Sequence, residues 1–172
     1  MWWSRAFALV ALLLLTACGF APVYGERGAL PRGAQTLLAN VTVEPIEERE
    51  GQMLRNVLLD QMNPGGMPAK PTHRLAVKVT ESTQETSIQK NQFSSRANLV
   101  LQATYILARI SDGKRVTSGS SRITASYDIV EQPYATLAAE ADARARAVRE
   151  IGEDITQRIA SALTASSGTA AQ

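Results

Sequence analysis

The chain carries one cysteine, Cys18, and one histidine, His73. A lone thiol cannot close an internal disulfide or build a cysteine zinc site. A lone imidazole leaves little for triad or metal chemistry, and His73 follows Lys-Pro-Thr at a strand entrance, where it reads as a surface residue. Serines are numerous but sit in polar strand and loop sequence. No GxSxG, glycine-rich phosphate loop or metal-ligand spacing occurs. The residues therefore predict no enzyme, no metal and no cofactor; a small hydrolase using a serine with His73 is a weaker alternative. Two kinds of chemistry remain. The Cys18 thiol can be alkylated. Four basic residues near predicted turns, Lys90, Arg96, Lys114 and Arg115, could pair with phosphate oxygens of an anionic lipid. Taken singly, each is better explained as a solvated turn charge.

The surroundings of Cys18 decide its chemistry. Arg5 supplies a short positive region, Ala6 to Leu15 form an apolar run, and small residues follow at Thr16 and Ala17. That is a secretory signal layout. The run is too short for a comfortable membrane span, which needs about 20 apolar residues. Leu15-Thr16-Ala17-Cys18 resembles the lipobox of bacterial lipoproteins. The resemblance implies that residues 1–17 are a removed signal peptide and that Cys18 becomes a lipid-modified N-terminus. Several acyl chains together anchor stably, where one holds only marginally. Gly19, in place of an aspartate, implies sorting to the outer membrane by similarity to enteric-type lipoproteins.

The rest of the chain must position any binding residues. Its 172 residues, 45% hydrophobic and 20% charged, suffice for one domain with a sizeable core. Charge is nearly balanced, at +2 overall, so no bulk basic field argues for a nucleic-acid partner. Residues 18–40, with repeated Gly and Pro, read as an extended lipidated leader. Residues 41–46 alternate and predict a short strand ending near Pro45. Residues 48–62 switch to helical period, with Leu54, Val57, Leu58 and Met62 on one face. Residues 73–83 and 96–110 alternate again; in the second, Ala97, Leu99, Leu101, Ala103, Tyr105 and Leu107 share a face.

Asp112-Gly113 is a hairpin signal. The next strand, Val116 to Tyr127, changes parity, and Ser118 to Ser121 suggest a bulge there. Residues 134–164 predict a long helix buried through Leu137, Ala141, Val148, Ile151, Ile155, Ile159 and Leu163. Residues 165–172 read as a flexible tail. The fold class is α+β: a two-layer sandwich of about four mostly antiparallel strands, with two helices on one face and the domain at residues 41–164.

The stretch LTACGFAPVYG, residues 15 to 25, gives a more specific match. Cys18, Gly19, Phe20, Pro22, Val23, Tyr24 and Gly25 resemble the leader of the LPS-assembly lipoprotein LptE family, and the element order resembles the family's over most of the mature chain. The resemblance implies a non-enzymatic protein, lipid-anchored at the periplasmic side of the outer membrane. It implies a role as plug and assembly partner of an LptD-type β-barrel in lipopolysaccharide transport. It also implies lipopolysaccharide contacts through basic residues near strand ends, for which Lys90, Arg96, Lys114 and Arg115 are the nearest positions. A generic envelope-scaffold lipoprotein is the alternative the same features allow.

Overall fold

The computed structural model describes residues 32–86 and 95–169. Cys18, the signal segment and Lys90 lie outside the described residues. The elements follow as α1 (Arg32–Leu38), β1 (Val41–Val43), α2 (Glu48–Met62), β2 (His73–Thr86), β3 (Ser95–Arg109), β4 (Arg115–Ile129) and α3 (Pro133–Thr169). The four strands form one sheet in the order β1-β2-β3-β4. β1 runs parallel to β2 over three residue pairs, and the remaining neighbours are antiparallel. The predicted α+β architecture stands, with helices packed against the sheet.

Alternation in β3 sets the two faces of the sheet. Ala97, Leu99, Leu101, Ala103, Tyr105 and Leu107 are all buried. Register places Leu75, Val77 and Val79 of β2 beside Leu107, Tyr105 and Ala103. On this face lie Leu54, Leu58 and Met62 of α2 and Ile151, Ile155, Ile159 and Leu163 of α3. Each such side chain contributes roughly 1.5–3 kcal/mol on leaving water. Two glycines permit close approach. A Cβ on Gly152 of α3 would lie 2.6 Å from Val57 Cγ1 of α2, and one on Gly119 of β4 would lie 2.8 Å from the Tyr105 hydroxyl oxygen.

The structure departs from the sequence reading in four places. Residues 32–38, placed in the extended leader, form α1 and bury Ala34 and Leu38 against the core. The bulge falls at Val116 rather than at 118–121: Leu107 pairs with Thr117 while Ala108 pairs with Arg115. The extra residue turns Val116 onto the core and resolves the parity change. Leu137 is 62% exposed and Ala141 is also exposed. The buried stripe of α3 runs through Ala143, Ala147, Ile151 and Ile155; traced back four residues it reaches Ala139, and Leu137 sits roughly 200° round the helix from there. Finally, α3 continues to Thr169, past the predicted end at 164. No helix among the described residues is long and apolar enough to cross a membrane.

Candidate functional site

The helices cover one face of the sheet, and the other is left open. Pairing register assembles that outer face in rows across β2, β3 and β4. From one end these are Arg74–Ala108–Arg115, Ala76–Ile106–Ser118, Lys78–Thr104–Ser120, Thr80–Gln102–Arg122, Ser82–Val100–Thr124 and Gln84–Asn98–Ser126, with Arg96–Asp128 beyond. Hydroxyls and amides dominate, and Ile106, 45% exposed, is the large apolar exception. Side chains bridge the strands. Arg122 donates from Nε and Nη2 to Gln102 Oε1, the first at 3.2 Å. Ser126 Oγ donates to Asn98 Oδ1 at 2.7 Å. An open depression of about 440 Å³ lies among Thr80, Gln84, Asn98, Gln102, Arg122 and Thr124.

Charge on this face is one-sided. Its cations are Arg74, Lys78, Arg96, Arg115 and Arg122. Two have carboxylate partners: Arg96 with Asp128 at 3.2 Å, and Arg74 with Glu44 at 3.7 Å, just past β1. Among the described residues, Lys78, Arg115 and Arg122 have none. The helices are close to balanced, with eight acidic against seven basic residues. α1 holds Arg32; α2 holds Glu48, Glu50 and Asp60 against Arg49 and Arg55; α3 holds Glu140, Asp142, Glu150, Glu153 and Asp154 against Arg144, Arg146, Arg149 and Arg158.

The four basic residues singled out in the sequence do not form one site. Arg96 stands at the end of the sheet where β3 begins. Lys114 and Arg115 stand at the other end, after the turn between β3 and β4. Twelve residues of β3 separate Arg96 from Ala108, the partner of Arg115, or about 40 Å at ~3.4 Å per residue. Lys114 and Arg115 do share their end with Arg109 and Arg74. The turn there is built by Asp112: its Oδ1 accepts the Lys114 N–H at 3.2 Å and its Oδ2 faces Arg109 Nη1 at 3.2 Å. The Lys114 N–H, aided by the charge of Arg109, holds the Asp112 carboxyl below its ordinary value. Gly113 supplies the positive φ of 67° that the turn needs. What the sequence reading missed is the central pair, Lys78 and Arg122. Counting parity jointly along β2 and β4 was the available signal.

Other polar groups serve the fold. Arg144 is the largest such centre. It donates to Glu81 of β2 at 2.7 and 2.8 Å and to Glu140 at 2.7 Å, and it faces Glu50 of α2 at 3.7 Å. The bonds to Glu81 are the main reason its pKa is raised, against the opposing effect of burial. Asp154 is opposed by burial, but hydrogen bonds from Arg158 and Ser121 hold its pKa low. His73 shares a hydrogen bond of 2.9 Å with the Thr72 hydroxyl, and its pKa is lowered by burial and then by Arg109. Among the described residues no three His, Cys, Asp or Glu side chains gather as metal ligands do.

Solved structures share this architecture. A candidate lipoprotein from Caulobacter crescentus CB15 superimposes with a TM-score of 0.64 at 23% identity, over 78% of this chain and 97% of that one. The chain has this lipoprotein's fold. More distant are a minor lipoprotein from Acinetobacter baumannii and the rare lipoprotein B from Shewanella oneidensis. The first has a TM-score of 0.48 at 13% identity over 70% of this chain and 91% of its own. The second has a TM-score of 0.40 at 14% identity over 77% of this chain and 98% of its own. No protein-family model matches the chain, and comparison with curated proteins finds no match.

Proposed function

We propose that the protein is an outer-membrane lipoprotein of the LptE kind. It is anchored through Cys18 on the periplasmic side and acts as plug and assembly partner of an LptD-type β-barrel in lipopolysaccharide transport. Its role is non-catalytic. The observation that carries this reading is the division of the sheet into a helix-covered apolar face and a long, hydrogen-bonding face left to water. A two-layer domain needs only one buried face, and a polar second face with little apolar area suits a wet lumen better than a lipid slot. The leader with Cys18, Gly19, Phe20 and Tyr24 adds a tether of the right kind. Lipopolysaccharide phosphates are assigned to Lys114 and Arg115, whose end of the sheet also carries Arg109.

Extraction of the envelope in mild detergent tests the reading. A stoichiometric large β-barrel should co-purify with the lipidated chain, and depletion should leave that barrel misassembled. A chain purified without such a barrel, with normal barrel assembly after depletion, would return the protein to the wider class of envelope scaffolds. Charge reversal at Lys114 and Arg115 should weaken lipopolysaccharide capture in a salt-sensitive way; unchanged capture would move the lipid contact elsewhere.

A further inference from the structure

The central cations of the open sheet face make no ion pair among the described residues. Lys78 on β2 and Arg122 on β4 point to the same side, and β3 runs between them. Two strand spacings and one pleat repeat put them about 12 Å apart. Both are exposed, and neither meets a carboxylate among the described residues. Arg122 is nevertheless held in place: it spends two N–H groups on Gln102 Oε1 and keeps its remaining donors for a partner. Around the pair lie Thr80, Thr104 and Ser120, all neutral and able to hydrogen-bond.

We infer that this central face docks against an acidic protein wall, with Lys78 and Arg122 each opposite an Asp or Glu of the barrel partner. The inference rests on the plug reading and adds the face, the residues and the chemistry of the partner. Charge complementarity supplies the occupant. A sheet face with unpaired cations fits a carboxylate-bearing surface, whereas the acids of the helices are largely matched by their own arginines. The face is hydroxylated, and the open depression beside Arg122 is lined mostly by polar side chains, which offer an acyl chain little apolar surface. That favours a protein wall over a lipid. The open face of the sheet is thereby set against this acidic part of the wall.

The test uses the full-length lipidated chain in detergent extracts, in three forms. One is unchanged, one is Lys78→Glu/Arg122→Glu, and one is Arg146→Glu/Arg149→Glu on the exposed side of α3. Circular dichroism melts check that all three fold. The sheet-face variant should recover more than tenfold less barrel, and the helix variant should match the unchanged chain. A carbodiimide, which joins an amine to a carboxylate without a spacer, should link Lys78 to an acidic peptide of the barrel, and Lys78→Arg should abolish that link. If the unchanged chain recovers no barrel, the plug reading fails and this inference with it. If it recovers barrel and the sheet-face variant recovers as much, this inference alone is wrong. Loss of lipopolysaccharide capture with barrel recovery intact would assign the face to lipid and overturn it as well.

Discussion

Replacing Gly152 by alanine tests the helix crossing that closes the core. Alanine is a better helix former than glycine by about 1 kcal/mol, so on an isolated helix the change stabilises. Here the new methyl would lie 2.6 Å from Val57 Cγ1 and 3.7 Å from Leu54 Cδ1. Carbon atoms settle at about 3.5–4.0 Å, so α2 and α3 must part by roughly 1 Å or Val57 must turn. Val57 is β-branched and on a helix, where one χ1 rotamer dominates, so turning is costly. Overpacking of this kind costs about 1–3 kcal/mol. Overpacking exceeds propensity, and Gly152→Ala should destabilise by about 1 kcal/mol, lowering the melting temperature by roughly 2–4 °C. In a Val57→Ala background the clash is gone and the same change should stabilise. The sign should therefore invert between backgrounds, a coupling of about 2 kcal/mol in a double-mutant cycle. Urea unfolding followed by circular dichroism measures it. A stabilising Gly152→Ala in the unchanged background would refute the tight crossing.

Further perturbations probe the remaining parts. Gly119→Ala should destabilise by about 1–3 kcal/mol through the Tyr105 ring and hydroxyl, and Tyr105→Phe should relieve part of it; equal losses in both backgrounds would refute the contact. Arg144→Met leaves Glu50, Glu81 and Glu140 facing one another without their cation, and should cost about 2 kcal/mol in urea unfolding, discounted for partial solvation. Because the pKa of His73 is depressed in the folded state, its neutral form favours folding. Stability is complete above the ordinary value of 6.5 and declines as pH falls below it. His73→Gln should flatten that decline in melts between pH 7 and 5. Cys18→Ala should abolish incorporation of labelled palmitate and leave a precursor that keeps residues 1–17; continued labelling would refute the lipobox reading.

Local chemistry explains which elements were legible. The period of two in β3 survives because every odd residue from Ala97 to Leu107 meets the same helical layer. Asp112-Gly113 announces its turn because the side chain caps it and glycine tolerates the φ. The helix α1 was hidden among Gly and Pro because its short run, RGAQTLL, earns its helicity from packing Ala34 and Leu38 on the core, a contact invisible along the chain. Leu137 misled for the opposite reason. It falls near a helical repeat, yet the partner layer is not under it at the start of α3.

The sequence by itself determined the order of strands and helices from β1 onward and which face of β3 is apolar, and it carries the lipobox-like stretch around Cys18. Those properties are written in neighbouring residues and short periods. Overall charge was also readable, and it is nearly zero. Only the tertiary structure decided where that charge goes. Lys78 and Arg122 are 44 residues apart in the chain and meet on one face because β3 fixes the register of both neighbours. Glu81, three residues from Lys78, turns the other way to Arg144. A side chain's face alternates with every residue, so one slip in pairing would have inverted the pattern. Register is a long-range property, and it makes a nearly neutral chain into a domain with a basic sheet face.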